Sequence, residues 1–269
     1  MALSNFIDST LVNPGQVALF SLAQAGFFIK TPAQTRLVID PYLSDYCRRK
    51  FGFRRMMPPV IGAGELRADL VASTHAHPDH LDPDSLPVFA RCPETSFLGA
   101  PDCESGYREA GLAPDRFAII ARGQSRTFRD VAIRAVYADH GDLAPDAVGF
   151  LLDIGGITIY DVGDSGYSPA KILPSLNSRV DIMIAPINAA YGNLGPEQAC
   201  ELAAQVKPRV MIASHFWMFI EHGGDPAAFL AAAARLAPGI TPLVMAPGER
   251  ILFDRQRGLV HGPEPSAET

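Results

Sequence analysis

The sequence predicts a layered α/β domain in which two β-sheets pack between outer helices. Two observations carry that prediction. Short apolar runs bounded by polar or glycine-bearing turns recur along the chain and read as buried strands. After about residue 100, helical stretches alternate with them, the pattern of sheets covered by helices. A third observation concerns position. Four of the strands run directly into histidine or aspartate, so polar chemistry gathers on loops at strand ends.

The elements follow in order. Val17–Phe20, Phe27–Lys30, Arg36–Ile39 and Leu70–Ser73 are the early strands. Pro83–Phe89 reads as a short helix with an early proline, where proline is tolerated. Pro101–Ala110 is a helix ended by Gly111, a residue suited to left-handed geometry. Val131–Tyr137 alternates as a strand, and Val148–Asp153 with Ile157–Asp161 forms a hairpin across Gly155-Gly156. Val180–Ile187 and Arg209–Ala213 are strands on either side of a helix over Pro196–Gln205. Asp225 caps a helix that begins at Pro226 and runs to Ala237. Leu243–Ala246 and Arg250–Phe253 close the order of strands.

Residues 75–80 read His-Ala-His-Pro-Asp-His, three of the seven histidines within one short loop. Imidazole and carboxylate suit borderline cations such as zinc or manganese. Pro78 continues neither a sheet ladder nor a helix interior, so the group sits on a loop just past the Leu70–Ser73 strand. A low-complexity metal tract repeats; this one alternates once and abuts a core strand. His140, Asp164 and His215 each follow a further strand, so loops at one sheet edge can bring them to the same place. His222 precedes Gly223-Gly224 and is a weaker candidate, while His261 lies in a polar, proline-containing tail as a bystander.

Bulk properties narrow the function. A chain of 269 residues with 48% hydrophobic and 19% charged residues is ordinary for a globular core, and no linker or repeat divides it. The expectation is one domain over 1–269 with an ordered core from about Gln16 to Phe253. A net charge of −6 argues against a nucleic-acid partner. No apolar run reaches the length of a membrane span, and Met1–Val12 lacks the layout of a signal peptide. Cys47, Cys92, Cys103 and Cys200 show no CxxC spacing and are expected to be reduced, small buried hydrophobes. A cytoplasmic protein with a small-molecule substrate fits these features; a homo-oligomer stays open.

The motifs then resemble a known family. Thr74–His80 matches the HxHxDH signature of the metallo-β-lactamase fold. Asp161-Val162-Gly163-Asp164-Ser165 is similar to that superfamily's Gly-Asp-Thr/Ser element, and Ser214-His215-Phe216-Trp217 to its final histidine. The resemblance covers Gln16 to Phe253. Through IDPYLSD, GDSGYS, INAAYGNL and SHFWMFIEHGGDP it is closest to the ascorbate-6-phosphate lactonase-like hydrolases. It implies a four-layer αββα sandwich of the metallo-β-lactamase type. It also implies two divalent ions, zinc or manganese. His75, His77 and His140 would hold one, Asp79, His80 and His215 the other, and Asp164 would bridge. Lactonase relatives depart at the position of His140, where Asp139 and Asp142 are neighbours able to substitute.

Such a pair of cations, about 3.5–4 Å apart, lowers the pKa of a shared water towards neutrality. Asp79 is then a ligand, a proton acceptor, or both. Arg48, Arg49, Lys50, Arg54 and Arg55 cluster around Phe51 and Phe53. Arg54 and Arg55 are the candidates to grip a phosphate or carboxylate, unless the cluster is merely a solvated loop. Asn188, Tyr191 and His222 are the other candidates to line a pocket. The expected function is a metal-dependent lactonase acting on an anionic sugar-acid lactone. The alternatives are a phosphodiester hydrolase with the same dinuclear site and a non-catalytic metal-binding protein.

Overall fold

The computed structural model describes residues 2–260, so His261 lies outside the described residues. In chain order the elements are α1 (Leu3–Ser9), β1 (Gln16–Ala23), β2 (Gly26–Lys30), β3 (Arg36–Ile39), α2 (Tyr46–Phe51), β4 (Leu70–Ser73) and α3 (Leu86–Ala90). There follow β5 (Ser96–Gly99), α4 (Glu104–Glu109), β6 (Phe117–Ile119), β7 (Ser125–Phe128), β8 (Val131–Tyr137), β9 (Val148–Ile154) and β10 (Ile157–Asp161). The remainder is α5 (Pro169–Leu176), β11 (Ile182–Pro186), α6 (Pro196–Val206), β12 (Val210–Ser214), α7 (Pro226–Leu236), β13 (Thr241–Leu243), β14 (Arg250–Asp254) and β15 (Gly258–Val260).

Two sheets form, in the orders β15-β14-β1-β2-β3-β4-β5-β6 and β13-β12-β11-β10-β9-β8-β7. Alternation along the strands assembles the layers. In β11, Ile182 and Ile184 join the core between the sheets, while Met183 and Ala185 join a second core under α5, α6 and α7. In β12, Val210 and Ile212 face one way and Met211 and Ala213 the other. Both faces of these strands are apolar because both are covered. Ile7 of α1, Leu86 and Phe89 of α3 and Tyr107 of α4 pack onto the other sheet. The result is the αββα sandwich that the sequence anticipates.

Strand direction sets where the chemistry collects. β3, β4, β5 and β6 are mutually parallel, as are β10, β11, β12 and β13. Their C-terminal ends form one edge of the sandwich, where open α/β sheets place ligands. β8 runs antiparallel to β9, which runs antiparallel to β10, so β8 delivers its C-terminal end to that edge too. The two sheets are tied there by His215 N donating to Gln24 O at 2.8 Å and Val148 N donating to Thr74 O at 3.0 Å. The opposite edge carries the β9–β10 hairpin, where Gly155 and Gly156 supply the positive φ of its tight turn.

Several local expectations need correction. The helix expected over Pro83–Phe89 starts only at Leu86, because Asp82 accepts from Asp84 N and Ser85 Oγ and holds Pro83–Ser85 as a turn. The strand expected over Leu243–Ala246 ends at Leu243. Beyond it, a tight turn at Pro247-Gly248 bonds Ala246 to Glu249. Arg48, Arg49 and Lys50 are not on a loop: they form the last turn of α2, where positive charge complements the helix dipole, and Gly52 ends it at φ +82°. All four cysteines are free, but Cys92 is exposed rather than buried. Asp225 caps α7 as expected, accepting from Ala228 N at 3.0 Å.

Candidate metal centre

The histidine-rich loop is held by one aspartate. Asp40, directly after β3, accepts from Thr74 N at 2.8 Å, from Thr74 Oγ1 at 2.6 Å and from His80 Nδ1 at 2.7 Å. It thereby clamps the two ends of the motif together. With Nδ1–H given to Asp40, a neutral His80 offers its Nε2 lone pair to the site, the arrangement in which an outer carboxylate orients a ligating imidazole.

All seven candidate ligands converge. Ring nitrogens of His75, His77 and His140 lie within 4.8 Å of one another, and so do the donor atoms of Asp79, His80 and His215. Asp164 stands between the two groups. Its Oδ1 is 3.4 Å from His80 Nε2, and its Oδ2 is 3.4 Å from His215 Nε2 and 3.7 Å from His140 Nε2. His140 itself, rather than Asp139 or Asp142, completes the first group: Asp139 accepts from Ser168 Oγ instead, and Asp142 is exposed.

The donor set fits cations on an observation independent of motif. His80 Nε2 and Asp164 Oδ1 are buried and lack hydrogen-bond partners, although buried polar atoms are ordinarily paired. Buried polar atoms left unpaired where seven candidate ligands meet are what a cation satisfies. Electrostatics divides the site. Burial and the charge of His80 push His75 well below the usual imidazole range, and burial first of all pushes His140 down to about 4. Burial opposes charge on His215 as well, yet the Asp164 and Asp79 carboxylates raise it to about 9. Burial alone would raise Asp79 and Asp164; His80 and His215 instead hold both well below the carboxylate range.

The site opens into a cavity of about 240 Å³, lined by members of both groups together with His222 and Tyr191. The remaining lining is Cys47, Phe51, Phe53, Pro78 and Leu143, with no lysine or arginine. His222 stacks on His215 at 5.0 Å and 16°, and burial lowers it to about 4, so it is neutral. Asn188 is buried but does not line this cavity.

The two arginines expected to grip an anion do not reach it. Arg54 is exposed and outside the lining. Arg55 donates to the main-chain carbonyls of Met57, Tyr42 and Ser44 and packs over the Tyr42 ring, 4.9 Å from its centroid. Its guanidinium holds the loop after α2 in place.

Asp40 and Gln24 bond directly to candidate ligands, and the sequence reading missed both. Gln24 Nε2 donates to Asp79 Oδ2 at 2.8 Å and lies 3.1 Å from His222 Nδ1. Asp40 follows a strand, the same signal that singled out Asp164; Gln24 carries no such signal. Asp40, Gln24, Tyr191, His215 and Trp217 all have positive φ, between 45° and 56°. Left-handed non-glycine residues each cost about 1–3 kcal/mol and cluster where surrounding structure enforces them, commonly at active sites.

Comparison with known proteins agrees with the fold. Residues 18–215 match the family described as a beta-lactamase superfamily domain. A UPF0173 metal-dependent hydrolase of Pelotomaculum thermopropionicum is 30% identical over 85% of this chain and 96% of its own. One of Cupriavidus taiwanensis is 28% identical over 90% of each. An isothiocyanate hydrolase from Delia radicum gut bacteria superposes with a TM-score of 0.73 at 19% identity, over 88% of this chain and 99% of its own, a likeness of fold. The chain belongs to the beta-lactamase superfamily and, within it, to the UPF0173 metal-dependent hydrolases.

Proposed function

We propose that this metal-dependent hydrolase cleaves a lactone or closely related ester of a small molecule, using two divalent cations, zinc or manganese. The observation that carries the reading is Asp164, whose two oxygens face both three-residue groups at 3.4–3.7 Å. Bound there, two cations would supply Lewis acidity and a water of lowered pKa.

The chain's own residues do the rest. His75, His77 and His140 would hold one cation, Asp79, His80 and His215 the other, with Asp164 shared. Asp40 fixes the His80 ring. Gln24 fixes Asp79 through Oδ2. Asp79 lines the cavity, so a carboxylate oxygen there is placed to take a proton from the attacking water and pass it to the leaving oxygen.

A cavity without lysine or arginine supports an acyl substrate over a phosphodiester, whose charge would call for more than the cations. The test is a parallel panel of lactones and phosphodiesters offered to metal-loaded protein, together with elemental analysis. Lactone turnover at close to two equivalents of metal per chain is expected. Turnover of phosphodiesters alone overturns the acyl reading, full activity at one equivalent overturns the dinuclear reading, and full metal loading without hydrolysis of anything favours a non-catalytic role.

A further inference from the structure

Resting on that hydrolytic reading, we propose that the substrate is electrically neutral and carries an apolar arm, alkyl or aryl, seated on an aromatic wall that leads to the cations. The wall is built from three separate segments: Phe51 and Phe53 at the end of α2, Leu143 just after His140, and Tyr191 after β11. Phe53 is its centre. Its ring lies 5.8 Å from Phe51, 6.4 Å from Tyr191 and 5.6 Å from His222, so apolar surface runs unbroken from solvent to the imidazole stacked on His215.

Exposure shows that this surface is unpartnered. Among the described residues eight large apolar side chains are exposed, and three of them line this one cavity: Phe51 at 51%, Leu143 at 55% and Tyr191 at 47%. Large apolar groups gathered around a concave polar site mark where a ligand covers them. The occupant must also reach the cations, because the wall and the candidate ligands line the same cavity. That requirement selects a substrate arm rather than a separate partner.

Charge argues the same way. No lysine or arginine lines the cavity: of the basic residues on and just after α2, Arg49 pairs with Asp84, Arg55 binds main-chain carbonyls, and Arg48, Lys50 and Arg54 are exposed and outside the lining. An anionic arm would lose its hydration against phenylalanine and gain no counter-charge. In the reaction, water oxygen bonds to the acyl carbon and the acyl C–O bond breaks. The leaving oxygen takes one water proton, and the product acid releases another to solvent.

The test uses full-length, metal-loaded protein and a series of γ-lactones with alkyl arms from zero to six carbons, plus one arm ending in carboxylate. kcat/KM should rise about three- to fourfold per methylene until the arm outgrows the wall. The carboxylate-ended arm should fall at least about tenfold below its neutral counterpart. In the double variant F51Q/L143Q, both positions exposed in the folded chain, the advantage of the long arm over the short one should collapse. Calorimetric titration with 1-octanol and 1-butanol reads the wall without any turnover: octanol should bind at least about thirtyfold tighter, and the double variant should lose that margin. Equal kcat/KM across arm lengths, preference for the charged arm, or equal binding of the two alcohols overturns the apolar-arm inference and leaves the hydrolase reading intact. Octanol binding that F51Q/L143Q abolishes, with no lactone or ester hydrolysed, upholds the apolar wall and overturns the acyl reading instead.

Discussion

The two halves of the histidine cluster differ in what surrounds them. His75, His77 and His140 face mainly one another: His75 Nε2 lies 2.8 Å and His140 Nε2 3.3 Å from His77 Nδ1. Desolvation then dominates, and His75 and His140 favour the neutral, ligating form. His80 and His215 sit among the carboxylates of Asp40, Asp79 and Asp164, and both are pushed up despite complete burial. In the cation-free chain the second half therefore holds protons that His75 and His140 do not. One half is a preformed set of lone pairs, and the other is a salt-bridged cluster in which a cation must replace protons.

The largest effect should come from the residue common to both halves. Asp164→Ala should lower bound metal at both sites and cut activity by more than the roughly 100-fold that loss of an outer-shell partner costs. His77→Ala and His215→Ala should each remove about one equivalent by elemental analysis. Retention of both equivalents in Asp164→Ala would sink the shared-carboxylate view.

Next is Asp40→Asn, whose one direct bond to a candidate ligand is to His80, in the second half. A loss of about 10–100-fold in metal affinity or activity is expected, with competitive chelator titration showing one weakened site. Two equally weakened sites would mean that the halves are not separable in this way.

pH sharpens the comparison further. A histidine raised to about 9 is protonated throughout the neutral range, so second-half binding expels at least one proton and should weaken at least about tenfold per pH unit as pH falls below 9. His140 should add no such dependence down to about pH 4. Calorimetric titration in buffers of different ionisation enthalpy counts the released protons, and none released at pH 7.5 would contradict the division.

The smallest effect concerns Asp161, buried behind the site, where burial and the Asp40 charge raise it to about 8. Its folded value lies above its unfolded value near 4, so the folded chain binds the extra proton and stability falls as pH rises from about 4 to 8. Asp161→Asn removes that slope. In metal-stripped protein its Tm margin over wild type should widen by several °C from pH 5 to pH 8. An unchanged margin across pH would assign the shift to another group.

The sequence displayed the candidate ligands because their signal is local: a buried strand followed at once by His or Asp. The same rule would have reached Asp40, which follows Ile39. Gln24 was illegible because its role exists only through contact with Asp79, 55 positions away. Arg55 was misread for a related reason. Sequence displays a charge but not its partners, and here the partners are main-chain carbonyls. The short helix α2 gave too few turns for periodicity to register, so Arg48, Arg49 and Lys50 read as part of the same loop as Arg54 and Arg55.

The segregation of chemistry to one edge leaves the other edge free for re-engineering. The Gly155-Gly156 turn joins β9 to β10 at the end remote from Asp164, and Gly155 is exposed. New termini or a reporter module introduced there would interrupt no strand and no loop of the cluster, and exposed turns of small residues accept such insertions best. A circularly permuted or sensor-fused form opened at this hairpin thus keeps the catalytic edge whole, which makes the hairpin a handle for immobilising the protein with its cavity facing solution.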